Sequence, residues 1–179
     1  KNNLLGVCDQ MYLFEPGDDT TVCVLKAVKP KKVKLFTGPP SHKEDDAKVV
    51  HELMNNADIR IVSGGTTSQI VARELGVEVK SSTEIYDKEV PPIAYIQGVD
   101  LVTEGVLTLS KTIDRLKSLS KSLDSDIFKV KDGASQMAKL LYSASHIKLL
   151  VGRSLNIANA ESSFQRDLEL RLHVVGELE

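Results

Sequence analysis

The sequence has no tryptophan and only 4% aromatic residues. Single-stranded nucleic-acid platforms stack bases on aromatic faces, so the composition argues against one. Cysteine is as scarce: Cys8 and Cys23 are the only two. Two thiols are too few for a disulfide scaffold or a structural zinc site. They are expected to be reduced, buried small hydrophobes of a cytoplasmic protein. No apolar run approaches the ~18 residues of a membrane span, and no signal peptide is visible. Charge of one sign is missing too. Lys and Arg number 23 against 25 Asp and Glu, a net charge of −2. That balance excludes a general nucleic-acid coat or a basic membrane-surface protein. The four histidines, His42, His51, His146 and His173, show no ligand spacing and read as ordinary surface or core residues. The residue order supports no Ser-His-Asp or Cys-His arrangement.

What remains is an ordinary globular mix, 41% hydrophobic and 27% charged over 179 residues. A chain of that length buries about two-thirds of its unfolded surface, enough for one domain or one and a fraction. The chain opens on Lys1, as expected of a fragment or processed piece.

Residues 2–14 carry apolar side chains at near-helical spacing (Leu4, Leu5, Val7, Cys8, Met11, Tyr12). A turn at 15–19 leads to a β-branched run at 20–28, read as a strand. Lys29-Pro30-Lys31-Lys32 reads as a linker, which divides the chain into units 1–30 and 31–179. Strands and helices then alternate. Strands are predicted at 33–37, 58–63, 77–80, 93–97, 147–151 and 168–174. Helices are predicted at 44–55, 66–75, 107–123 and 131–145. Gly76 stops the second of these by taking the left-handed cap conformation, and Asp132 lies in the first turn of the last. The expected fold is α/β, a mostly parallel sheet with helices on both faces, Rossmann-like in three layers.

Four segments at the ends of these strands combine residues that suit a ligand. Ser63-Gly64-Gly65-Thr66-Thr67-Ser68 follows a strand and opens a helix. Glycines let a ligand approach the backbone, and the first helical N–H groups suit a phosphate. It is neither a Walker A motif nor a three-glycine dinucleotide fingerprint. The plainer reading is a tight turn capped by Thr66 or Ser63. Thr37-Gly38-Pro39-Pro40-Ser41 leaves its strand at the same edge, where open α/β sheets bind ligands; otherwise Pro-Pro stiffens a turn. In the segment 98–108, Asp100 and Glu104 stand between apolar residues and glycines. They can hold a metal on a bound phosphate, hydrogen-bond a ribose, or cap the next helix, as can Thr108. Arg153 follows the strand at 147–151 and can grip a phosphate or carboxylate, or pair with a surface acid. The candidate ligand residues are therefore Gly38, Gly64, Gly65, Thr66, Thr67, Asp100, Glu104 and Arg153.

A fifth segment, Pro16-Gly17-Asp18-Asp19-Thr20-Thr21-Val22-Cys23-Val24, places two acids before a strand. One carboxylate there can bind a hard divalent cation, though Gly-Asp-Asp is also a common turn. With the helix before it, the segment resembles the closing motif of PPM-type, metal-dependent serine/threonine phosphatases of the stage II sporulation protein E (SpoIIE) family. The remainder looks like the C-terminal extension of a subset of these bacterial phosphatases. That likeness rests on Phe36-Thr37-Gly38-Pro39-Pro40, on Gly64-Gly65-Thr66-Thr67 running into 70–76, on Pro91-Pro92, and on 98–105. It continues through Asp132-Gly133-Ala134 and Val151-Gly152-Arg153.

The resemblance implies that Asp18 is a Mn²⁺ or Mg²⁺ ligand of the complete parent and that residues 1–30 are the end of its catalytic domain. It implies a phosphoprotein substrate for that parent and names no ligand for the extension. The other metal-binding Asp positions of the family are absent from this chain. Two-metal hydrolysis needs several carboxylates around both ions, so the chain by itself is expected to lack phosphatase activity. Three readings follow: a regulatory domain binding a phosphorylated small ligand, an independent phosphoryl-ligand enzyme, or an interaction module that forms a homodimer. None involves nucleic acid or a membrane.

Overall fold

The computed structural model describes residues 2–15, 21, 23, 25–121, 129–154, 172, 173, 176 and 177. Among them the order is α1 (Asn2–Met11), β1 (Lys32–Thr37), a 3-10 turn (Lys43–Asp45), α2 (Asp46–Met54), β2 (Ile59–Ser63) and α3 (Gly65–Leu75). Then follow β3 (Lys80–Ser81), β4 (Ala94–Tyr95), β5 (Leu101–Thr103), α4 (Val106–Lys121), α5 (Gly133–Tyr142) and β6 (His146–Val151). The strands form one mixed, mostly parallel sheet in the order β3-β4-β5-β2-β1-β6. β1 pairs in parallel with β2 and β6, and β2 with β5. β4 is antiparallel to both β5 and β3.

β1 is apolar because both of its faces are covered. Successive strand side chains point to opposite faces. Val33 and Leu35 join Ile61, Leu101, Leu109 and Ile113 of α4, and Met137 and Leu141 of α5. Phe36 joins Val62, Val102, Val50 and Leu53 of α2, and Ile70 and Val71 of α3. A run whose odd and even positions both enter apolar clusters is the pattern of a strand buried on both sides, and Lys34 interrupts it between Val33 and Leu35.

Lys34 is the buried cation within that run. Its Nζ donates to the main-chain oxygens of Glu52 (2.6 Å) and Asn55 (2.7 Å), and pairs with Glu52 Oε1 at 2.7 Å. It thereby satisfies carbonyls that the end of α2 leaves without helical partners. Lys148 of β6 reaches the same carboxylate at 2.8 Å. Hydrogen bonds from Lys148 and Lys34 lower the Glu52 pKa from 4.5 to about 2.

At the start of α5, Asp132 is the N-cap, and its Oδ1 accepts from the Ala134 (2.9 Å) and Ser135 (3.0 Å) amides. The Arg115 guanidinium joins Asp132 and Ser135 to Asp87. Burial pushes the Asp132 carboxyl up. The Ser135 amide and hydroxyl and the Arg115 charge outweigh burial and hold it below its ordinary range.

Several expectations change. The strand expected at 93–97 shrinks to Ala94–Tyr95, and that at 77–80 becomes Lys80–Ser81. β5 lies inside the segment read as a ligand loop. Described residues between 21 and 28 form no strand; a strand requires a paired neighbour for its backbone groups, and none of the described strands supplies one. Of the strand expected at 168–174, Leu172 and His173 are helical rather than extended, and residues 168–171 and 174 lie outside the described residues. Cys8 is half-buried and Cys23 exposed, not buried. Gly76 is left-handed at the end of α3, with φ 67°. No helix among the described residues is long and apolar enough to cross a membrane.

Two outcomes follow from this packing. Gly152 donates its N–H to Thr37 O at 2.9 Å. A Cβ there would lie 2.1 Å from Pro39 O and 2.2 Å from Gly38 O. Main chain cannot step aside as a side chain does, so Gly152→Ala is expected to cost about 2 kcal/mol or more. An unchanged urea midpoint would refute that contact. In acid, Glu52 and Asp132 have folded pKa values below their unfolded ones. Each therefore stabilises the fold at neutral pH, and the stabilisation is lost as pH falls, for Glu52 between 4.5 and about 2. Glu52→Gln should flatten the fall of the urea midpoint across that window; a parallel fall would remove Glu52 from the acid response.

Candidate anion site at the carboxyl edge of the sheet

The parallel register aligns Thr37 of β1 with Ser63 of β2, and Ser63 with Thr103 of β5. Three adjacent strands thus end in hydroxyl residues, all on the face covered by α4 and α5. All three are buried. The chain leaves each strand at this edge, and the three loops border a pocket of about 490 Å³. Thr37, Gly38 and Pro39 form one wall. Ser63 through Thr67 form another, and Glu104 through Leu107 with Ser110 close the third.

Two helices begin at the pocket. Gly64 precedes α3 with φ 119° and ψ 136°, a conformation that favours glycine. Its N–H donates to Thr103 O at 3.0 Å. Its carbonyl accepts the Ser68 amide at 2.9 Å and the Ser68 hydroxyl at 2.8 Å. The Gly65 and Thr67 N–H groups lie ahead of that first rung of the helix. Expected caps Ser63 and Thr66 are displaced: Gly64 is the N-cap, and no side chain caps it. In α4 the Leu109 amide bonds Gly105 O at 3.2 Å, so Gly105 opens that helix. Thr108, expected as a cap, is the third residue of α4, and its buried Oγ1 has no partner among the described residues.

The pocket's donors are neutral. Thr37 is 2% exposed and Thr67 1%. Both line the pocket, and neither hydroxyl has a hydrogen-bond partner among the described residues. Each keeps its oxygen at the pocket surface, where water or a ligand atom can bond it. Ser63 is used differently. Its Oγ donates to Glu104 O at 3.1 Å and accepts from Thr103 Oγ1 at 3.3 Å. These bonds hold the main chain of Glu104, whose side chain is exposed. The lining contains no Lys, Arg or His, and Glu104 is its one acid.

The structure therefore brings together Gly38, Gly64, Gly65, Thr66, Thr67 and Glu104. It separates Asp100 from them. Asp100 stands before β5, where its Oδ2 accepts the Arg60 amide at 2.7 Å. Glu104 stands after β5, and four residues of extended chain put them roughly 13 Å apart. Arg153 lines another cavity of about 570 Å³, beside His42, Asp45 and Lys48. Asp18 and Asp19 lie outside the described residues. Among the described residues no group of three His, Cys, Asp or Glu is placed to hold a metal. Thr37, Ser63 and Thr103 gain their importance from register. The available signal was a hydroxyl residue ending each apolar strand.

The strand order reverses at β1: the chain proceeds to β2 and β5 on one side and returns to β6 on the other. Such a reversal commonly opens a ligand crevice. Here the Gly152 bond to Thr37 O and the Ser154 bond to Pro39 O (3.0 Å) tie the two loops together, and the cavity of about 570 Å³ that Arg153 lines opens beside them. The hydroxyl-lined pocket lies one strand over, above β1, β2 and β5. No family model, curated protein or solved structure matches the chain.

Because the Thr67 hydroxyl has no partner among the described residues, Thr67→Val should leave stability unchanged or raise it by up to about 1 kcal/mol. Ser63→Ala removes the bonds that hold Glu104 and should cost about 1 kcal/mol. Urea unfolding of the two variants checks the contrast; the reverse order would mean that the hydroxyls have exchanged roles.

Proposed function

We propose that the unit 31–179 binds the phosphate group of a small ligand at this edge and acts as the ligand-sensing extension of a SpoIIE-type phosphatase. One observation carries the binding part. Two helix starts border a pocket lined by two largely buried threonines, Thr37 and Thr67, whose hydroxyls have no hydrogen-bond partner among the described residues. Helix N-termini attract anions through their free N–H groups and dipole. Threonine hydroxyls add neutral donors without a competing cation. The strand order and the helices on both faces support a doubly wound, Rossmann-like reading of the layers. The sensing part rests on the sequence resemblance, including the helix–turn–acidic motif at 2–19. In this reading Mn²⁺ or Mg²⁺ and the phosphoprotein substrate belong to the parent's catalytic domain.

A thermal-shift panel of inorganic phosphate, sugar phosphates and nucleotides tests it. A ligand at ~100 times its dissociation constant stabilises by about 2.7 kcal/mol, roughly 5–10 °C for a chain of this size. A Cβ on Gly65 meets nothing within 4 Å, so Gly65→Trp should fold normally and fill the pocket. The expected result is a shift in the native chain that Gly65→Trp abolishes. No shift with any phosphorylated compound would overturn the proposal.

The interaction-module reading is favoured by one separate feature. Leu4, Val7 and Met11 of α1, and Leu13 and Phe14 after it, are exposed. Sedimentation over a hundredfold range of concentration tests it. A rising mass that Phe14→Glu reduces would support self-association.

A further inference from the structure

The pocket contains one charged side chain, and its sign is opposite to that expected beside a phosphate. Glu104 lines it with no ion pair and no hydrogen bond to its carboxylate among the described residues. Its main chain is fixed by Ser63 and Thr103, so the carboxylate is tethered at the rim. A carboxylate near a bound phosphate is repulsive. The same carboxylate facing neutral O–H donors makes charge-assisted hydrogen bonds, about twice as strong as neutral ones. The volume of about 490 Å³ also exceeds what a phosphate fills. The side of the pocket nearest Glu104 is apolar, formed by Val106 and Leu107, with the Ser110 hydroxyl beyond.

Resting on the phosphate reading above, we infer that the ligand is a phosphorylated sugar or a nucleoside monophosphate, with vicinal hydroxyls donating to Glu104. The phosphate sits at the start of α3 against Thr37 and Thr67. The sugar spans toward the start of α4, where Glu104 accepts its diol. Charge is thereby separated along the ligand, anion at one helix start and hydroxyl donors at the carboxylate.

Isothermal titration of the full chain tests this with four probes: inorganic phosphate, ribose 5-phosphate, adenosine 5′-monophosphate and its 2′,3′-dideoxy counterpart. Ribose 5-phosphate should bind about tenfold tighter than phosphate, a gain worth one strong hydrogen-bonding group. Glu104→Ala should act with opposite signs, weakening ribose 5-phosphate about tenfold and tightening inorganic phosphate about twofold. The dideoxy nucleotide should behave like phosphate toward that substitution. A further gain for adenosine 5′-monophosphate over ribose 5-phosphate identifies a nucleotide; no gain identifies a sugar phosphate. If phosphate and ribose 5-phosphate bind equally, or Glu104→Ala changes both alike, the diol assignment is wrong while phosphate binding stands. If no probe binds, both fall.

Discussion

In-register parallel pairing of β1 with β2, and of β2 with β5, is the constraint on which the site depends. It brings Thr37, Ser63 and Thr103 side by side and ends three strands at one level. Each chain must then turn at the same edge. Two of the three turns run directly into helices, α3 and α4. A slip of one residue in β2 would turn Ser63 into the cluster around Phe36 and expose Val62 to the opposite face. The aliphatic clusters on the two faces resist that slip. Packing that serves stability therefore also positions the hydroxyls.

Much of the scaffold was legible because its strands are short, largely apolar runs. The runs at 33–37, 58–63 and 147–151 carry that pattern, and β1, β2 and β6 occupy them, although β6, expected to be buried, is exposed at His146–Lys148 and half-buried beyond. Gly76 was legible because a helix end favours a left-handed residue. β5 was not. Three residues, Leu101, Val102 and Thr103, are too few to show a period, and the glycines around them suggested a loop. That one omission misplaced Asp100, because a strand between two acids sends them to opposite ends. The described residues of the β-branched run at 20–28 (21, 23 and 25–28) show the opposite outcome. Local preference favours a strand there, yet strand formation depends on a neighbour to pair with, which sequence spacing does not reveal. Arg153 lies at the expected edge of the sheet, in the cavity beside β6 rather than in the hydroxyl-lined pocket. Gly152 approaches the loop after β1 closely between them.

The amino and carboxyl edges of the sheet handle polarity differently. Away from the pocket, Lys34 is surrounded by acceptors and Glu52 by two ammoniums. Those groups are saturated and contribute to folding. At the carboxyl edge, Thr37 and Thr67 are largely buried, and their hydroxyls have no partner among the described residues. Valine there would fill nearly the same space but give the pocket no donor. Local departures from good packing chemistry tend to collect where binding occurs.

The register partner of Thr37 on its other side sharpens the point. β6 presents Val151 opposite Thr37. Across the four parallel strands the row reads Thr103, Ser63, Thr37 and then Val151. The hydroxyls stop where the pocket stops, for Val151 lines the other cavity. If hydroxyls were merely tolerated at strand ends, β6 would be as suitable a place for one as β1. Their restriction to the three strands beneath the pocket ties them to its contents. Ser63 and Thr103 are committed to holding Glu104, which leaves Thr37 and Thr67 as the donors available to an anion. The pocket thus combines a neutral donor set at one helix start with one fixed acceptor at the other. A ligand that is anionic at one end and rich in hydroxyls at the other satisfies both halves, whereas phosphate alone satisfies one and opposes the other.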